Sequence, residues 1–349
     1  MVLLDGIASR RIDTSRLAVN VLERAGDPPG GTPVVFIHGN LSSSLFWQEA
    51  MLALPAGYRV LAPDLRGFGD TDPLPVDATR GLRDFSDDLA ATLEALGLDA
   101  AHLVGWSMGG GVAMQYALDH PVLSLTLQAP VSPYGFGGTG GPEGRRLSED
   151  DAGCGAGGVN PDFVARLAAG DRSEEAATSP LAVYRAAYVH AGFRSVHEEI
   201  WLESMLSSRT GPDHYPGDSA ATDAWPGFAA GGRGIANAMA PGYFNTSGLV
   251  ELARKPDILW IRGDSDAIVS DASAFDINYL GQLGAVPGWP GEQTAPAQPM
   301  LAQTRAVLDK YRANGGRSRE VVLANCGHSP HLEYPEQFLA ALTEHIGGV

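Results

Sequence analysis

The chain has 349 residues, 44% of them hydrophobic, and carries 24 Lys plus Arg against 41 Asp plus Glu, a net charge of −17. That length holds one large domain with an insertion, or two domains, and the apolar fraction supports a sizeable core. The acidic balance opposes phosphate backbones and anionic lipid heads, so it argues against nucleic acid as a partner.

At the N-terminus, Met1-Val2-Leu3-Leu4 is too short an apolar run before Asp5 for a secretory signal, and no window reaches the ~20 apolar residues of a membrane span. A cytoplasmic protein with no membrane partner is the expectation. Residues 9–24 alternate around Asp13-Thr14-Ser15 and predict a β-hairpin. Pro33–Ile37 and Arg59–Pro63 are continuous apolar runs, as expected of strands buried on both faces. Leu82, Phe85, Leu89, Leu93 and Leu96 stand at helical spacing before Gly97. Strand His102–Gly105, helix 108–120 ended by Pro121, and strand Leu123–Leu127 follow. Two later strands are predicted at 258–261 and 320–323. Strands alternating with helices predict an α/β fold with a mostly parallel, doubly wound sheet.

Residues 131–250 break that rhythm. A Gly-rich stretch, 134–158, precedes helix-like pieces at 161–170, 181–191 and 196–209, then a Gly/Pro/Trp-rich stretch from 211 to 234. Phe163, Tyr184, Tyr188, Phe193, Trp201 and Trp225 favour a packed, mainly helical cap over a disordered linker. The expected division is therefore a core of 1–130 and 251–349 with a cap or lid insertion at 131–250. A second insertion, 272–318, is Gly/Pro-rich early and helical late. Gly135-x-Gly137-x-x-Gly140 fits a dinucleotide fingerprint, but no periodic helix follows it. It is read as a flexible loop at the hinge of the cap. Cys154 and Cys326 lack metal-type spacing and are read as free thiols of a reducing compartment, with a single disulfide as the alternative.

Gly105-Trp106-Ser107-Met108-Gly109 matches G-x-S-x-G. In a chain with 44 glycines the bare pattern carries little weight; its place between a strand and a helix carries the argument. A tight strand-to-helix turn exposes the serine hydroxyl, and the flanking glycines admit the close backbone approach. Serine needs a base, and His328 follows the last predicted strand in Cys326-Gly327-His328-Ser329-Pro330, with His331 as the rival. The base needs a carboxylate, for which Asp266 in Gly263-Asp264-Ser265-Asp266 is chosen ahead of Asp264 and Asp271. The order Ser…Asp…His suits this turn. The N–H groups of Met108, after the serine, and Asn40, in His38-Gly39-Asn40, are the candidate oxyanion donors. His38 is read as structural. His328-x-x-His331-x-Glu333 could suggest a metal, but Pro330 spoils a helical arrangement, so no metal and no cofactor are expected.

Together with Asp64-Leu65-Arg66-Gly67-Phe68-Gly69-Asp70-Thr71, these motifs resemble the capped serine-hydrolase branch of the α/β-hydrolase fold superfamily, esterase- or lactonase-like. The resemblance covers roughly 30–130 and 250–349. It implies a triad at Ser107, Asp266 and His328 and oxyanion donors at Asn40 and Met108, with 64–71 a structural turn. Haloalkane dehalogenases and epoxide hydrolases are similar around His38-Gly39-Asn40 and Trp47 but use an aspartate where this chain has Ser107. The His-Gly-x-Gly-Pro-type loop of carbon–carbon bond hydrolases is replaced by Asn40-Leu41-Ser42. The implied activity is hydrolysis of an ester or lactone in a small, largely apolar molecule. The alternatives are the same triad acting on a thioester, an amide or a carbon–carbon bond, perhydrolysis, or a ligand receptor on a hydrolase scaffold. No oligomeric state follows from these residues.

Overall fold

The alternating and apolar runs near the N-terminus become strands β1 (Ile7–Asp13), β2 (Ala18–Arg24), β3 (Thr32–Ile37) and β4 (Tyr58–Pro63). The computed structural model describes residues 2–348. Strands β5 (His102–Trp106), β6 (Ser124–Gln128), β7 (Asp257–Gly263) and β8 (Ser318–Leu323) complete one sheet of order β1-β2-β4-β3-β5-β6-β7-β8. The β1–β2 and β2–β4 pairs are antiparallel and all other neighbours are parallel. The fold is thus α/β, with a mostly parallel sheet.

Helix α1 (Gln48–Ala53) follows β3, and α2 (Arg83–Ala95) precedes β5. Helix α3 (Met108–Asp119) starts directly after β5 and packs on β3, β5, β6 and α2. Its apolar length is buried almost all round, as befits a helix under other layers. Central β5 and β6 are buried along their whole length, so the polar residues that alternate along β6, Ser124, Thr126 and Gln128, are buried too.

The chain leaves the sheet after β6 and re-enters at β7, its neighbour, with Leu127 paired to Trp260. Between them lie α4 (Pro161–Ala168), α5 (Pro180–Val183) running on as a π-turn over Tyr184–Tyr188, and α6 (Glu198–Leu206). Three two-stranded ribbons also occur there: Thr139–Gly140 with Arg145–Arg146, Thr210–Gly211 with Tyr215–Pro216, and Ser219–Ala221 with Phe228–Ala230. The sequence reading does not anticipate these ribbons, because two or three residues are too few to show a period of two. Beyond β7 come α7 (Ile277–Gln282) and α8 (Met300–Ala313), then, after β8, α9 (Pro330–Glu333) and α10 (Pro335–Gly347). Among the described residues no helix is long and apolar enough to cross a membrane.

Candidate active site

Six parallel strands end at one edge of the sheet, and the loops after β3, β5, β7 and β8 carry the residues singled out above. This is the edge where ligands bind in open α/β sheets. Ser107 sits between β5 and α3 at φ +57°, a left-handed conformation that costs a non-glycine residue ~1–3 kcal/mol. The surroundings hold it there. Its N–H donates to the Gln128 carbonyl (2.9 Å), and its own carbonyl accepts from Gly110 (2.9 Å) and Val131 (3.1 Å). The glycines are sterically required. A Cβ on Gly105 would lie 2.3 Å from the Gly109 carbonyl oxygen, and one on Gly109 equally close to that of His38. A Cβ on Gly39 would stand 2.9 Å from Ser107 Cβ.

His328 and Asp266 lie 62 residues apart and meet at 2.8 Å, Nδ1 to Oδ2. Both are buried. The other carboxylate oxygen of Asp266 accepts the N–H groups of Ile268 (2.8 Å) and Val269 (3.0 Å), which fixes its plane. Trp106, next to the serine, donates its indole N–H to the His328 carbonyl (2.8 Å) and packs its ring against the imidazole, centroids 5.5 Å apart. Sequence reasoning had no signal for that role, since Trp106 occupies a variable position of the motif.

The alternatives have other partners. Asp264 accepts from the Asn325 N–H (2.8 Å) and is exposed, as a turn former is. Asp271 accepts the Leu301 N–H (2.7 Å) at the start of α8. His331 stacks on Trp47 (4.3 Å) and shares a hydrogen bond with the Gln128 amide (2.8 Å). Burial first, then the neighbouring His328, lowers its pKa to about 3. Glu333 accepts the N–H groups of Gly327 (3.0 Å) and His190 (2.7 Å), so it braces the histidine loop against the inserted segment. His328, His331 and Glu333 therefore face three different sets of partners. No group of three potential metal ligands occurs among the described residues.

His38 is wholly buried, accepts the Leu65 N–H at Nε2 (2.9 Å) and has its pKa lowered by burial to about 4. Asp64 accepts from Ser44 (2.7 Å), Asp70 (3.0 Å) and Asn20 (2.8 Å), a purely structural use. Among the described residues, neither the Asn40 nor the Met108 N–H is given to a backbone carbonyl. The Asn40 carbonyl instead accepts the Tyr188 hydroxyl (3.0 Å), which joins the inserted segment to this loop.

Ser107, His328, Asn40 and Trp106 line one cavity of about 450 Å³. Its far walls come from the inserted segment, including Phe136, Phe163 and Tyr215, and from Phe275 and Ile277 before α8. The last two lie in the second insertion, to which the sequence reading gave no role. Residues 135–140 of the Gly-rich stretch, read as a flexible loop, are buried except for half-buried Phe136 and are held by side chains far downstream, whereas 141–150 lie at the surface. Gln298 accepts the Gly137 N–H (2.6 Å) and donates to the Gly135 carbonyl (3.1 Å). Gln303 donates to Thr139 (3.0 Å) and the Gly141 carbonyl (3.1 Å) and accepts from Ser132 (2.7 Å). Gly135 and Gly137 have φ of +90° and +81°, a loop geometry with no strand-to-helix turn for a dinucleotide. Cys154 and Cys326 are buried free thiols.

Against known proteins, a family model described as alpha/beta hydrolase fold matches residues 32–138. The dihydrolipoyllysine-residue acetyltransferase component of an acetoin cleaving system from Cupriavidus necator is 39% identical over 127 residues, 36% of this chain and 32% of that protein. Epoxide hydrolase 2 of Siraitia grosvenorii is 39% identical over 92 residues, 26% of this chain and 29% of that one. The chain thus spans about a third of the length of these curated relatives. An esterase structure from Rhodococcus sp. ECU1013 superposes over 98% of both chains with a TM-score of 0.59 at 19% identity, a shared fold.

Proposed function

We propose that this chain, which matches the α/β-hydrolase fold family model over residues 32–138, is a serine hydrolase of that superfamily, cleaving a carboxylic ester or lactone of a small, largely apolar molecule. The observation that carries the reading is a serine held in a strained turn at the wall of an apolar cavity, sharing that wall with a histidine whose other ring nitrogen is engaged by a buried carboxylate. Ser107 Oγ attacks the carbonyl carbon, and His328 Nε2 takes its proton. Asp266 holds the neutral tautomer with Nδ1 protonated and stabilises the imidazolium that forms. The Asn40 and Met108 N–H groups receive the oxyanion. As the tetrahedral intermediate collapses, the carbon–oxygen bond to the alcohol breaks and His328 returns the proton to the leaving oxygen. Water, deprotonated by His328, then attacks the acyl-serine; the acid departs and Ser107 is regenerated.

Residues 131–250 act as the cap that keeps this chemistry in a water-poor space. The aspartate nucleophile of epoxide hydrolases has no counterpart at the elbow, where Ser107 stands. The test is hydrolysis of p-nitrophenyl esters and simple lactones by wild type and Ser107→Ala, with fluorophosphonate labelling of both. Expected are turnover and labelling in the wild type, and loss of both in the variant. Turnover that persists in Ser107→Ala refutes the assignment.

A further inference from the structure

Among the described residues, the cavity wall contains no Asp, Glu, Lys or Arg. Its titratable side chains are His328, Tyr188, Tyr215 and Cys154. The imidazole is engaged by Asp266, and the Tyr188 hydroxyl by the Asn40 carbonyl. A charged group of a substrate entering here would give up its hydration and find no counter-ion, which is the costly way to bury charge.

The sign of the surroundings adds to this. Burial raises the pKa of the Cys154 thiol, the buried carboxylates Asp151 and Asp276 add to this, and Arg146 opposes it. Asp151 is paired with Arg146. The hydrogen-bond partners of Asp276 are the N–H groups of Gln298 (2.7 Å) and Asn278 (3.1 Å). The molecule as a whole carries a net charge of −17.

We infer that the part of the substrate occupying this cavity is uncharged, and that carboxylates are rejected by the cavity wall itself. This rests on the hydrolase reading and narrows it to neutral esters or lactones. Substrates bearing a carboxylate close to the scissile bond are excluded by the same argument.

The experiment compares p-nitrophenyl hexanoate with the mono-p-nitrophenyl ester of adipate, in which a carboxylate replaces the terminal methyl. In parallel, calorimetry measures binding of methyl hexanoate and monomethyl adipate to Ser107→Ala. Both comparisons are run at low salt and at about 0.5 M NaCl, where the Debye length falls to about 4 Å and the field of distant surface charges is screened. The expected result is a kcat/KM about 100-fold lower for the adipate ester, with a similar gap in binding, both persisting at high salt. Charged and neutral partners within about fivefold of each other overturn the inference while leaving a serine hydrolase standing. A gap that vanishes at high salt also overturns it, by assigning the discrimination to net charge alone. Failure of methyl hexanoate to bind overturns it as well. Binding of methyl hexanoate alone, with no turnover of either p-nitrophenyl ester, upholds the charge exclusion and sinks the hydrolase reading.

Discussion

Asp264 and Asp266 stand two positions apart after β7 and do different work. Asp264 ties the turn to Asn325, while Asp266 is turned inward to His328 and has its second oxygen filled by two N–H groups. A carboxamide at 266 keeps the shape but can present its NH₂ to Nδ1 and select the wrong tautomer. Asp266→Asn is therefore expected to lower kcat by about 10⁴ and Asp264→Asn by less than about tenfold, read from steady-state kinetics on one ester. At this scale the sequence is informative where covalent geometry leaves little choice. Gly105 and Gly109 flank a serine because no side chain fits beside it. Choosing His328 over His331 rested on which one follows the strand, and the structure gives the physical difference: one ring faces the cavity, the other stacks on Trp47. Trp106 and Glu333, which brace the histidine loop, were not legible, because each acts through backbone groups distant in sequence or across a turn.

Among the elements, the segment before α8 and its first turn hold the Gly-rich loop. Gln303 is fully buried and makes hydrogen bonds to Ser132, Thr139, Gly141 and Gln298. Gln303→Ala strands several of these groups at once and is expected to cost about 3 kcal/mol in urea denaturation. It should also open residues 135–147 to proteolysis. This pinning could not be read from glycine content. Glycine reports which dihedrals are allowed, and says nothing of a glutamine more than 160 residues away that supplies the missing partners. The strand and helix positions of the sheet were legible for the opposite reason, since buried runs and 3.6-residue spacing are local signals.

For the molecule as a whole, buried histidines set the response to acid. His38 and His102 have pKa values lowered by burial to about 4, and His331 to about 3. An unfolded histidine titrates near 6.5. Between about pH 6.5 and 4 the unfolded chain holds protons that the native state refuses, so acid favours unfolding. Each such residue contributes at most about 1.4 kcal/mol per pH unit. Burial raises Asp151, Asp276 and Glu333, which act in the opposite sense above their ordinary values and offset part of the loss near pH 4. The urea midpoint is expected to fall steadily from pH 7 to pH 5 at constant ionic strength; a flat profile would contradict the buried neutral histidines. The chain's departure from the sheet at β6 and its return at the adjacent β7 have a further consequence. Because the two strands are parallel, with Asp257 opposite Ser124 and Ile261 opposite Gln128, the segment leaves at one edge of the sheet and returns at the other, its ends offset by about 13 Å along adjacent strands, and all eight strands of the sheet lie outside it. We propose that the cap, 131–250, works as a cassette on that framework. Its contents can be exchanged, lengthened or re-sculpted to alter what the cavity admits, while the strand ends that hold Ser107 and His328 keep their register.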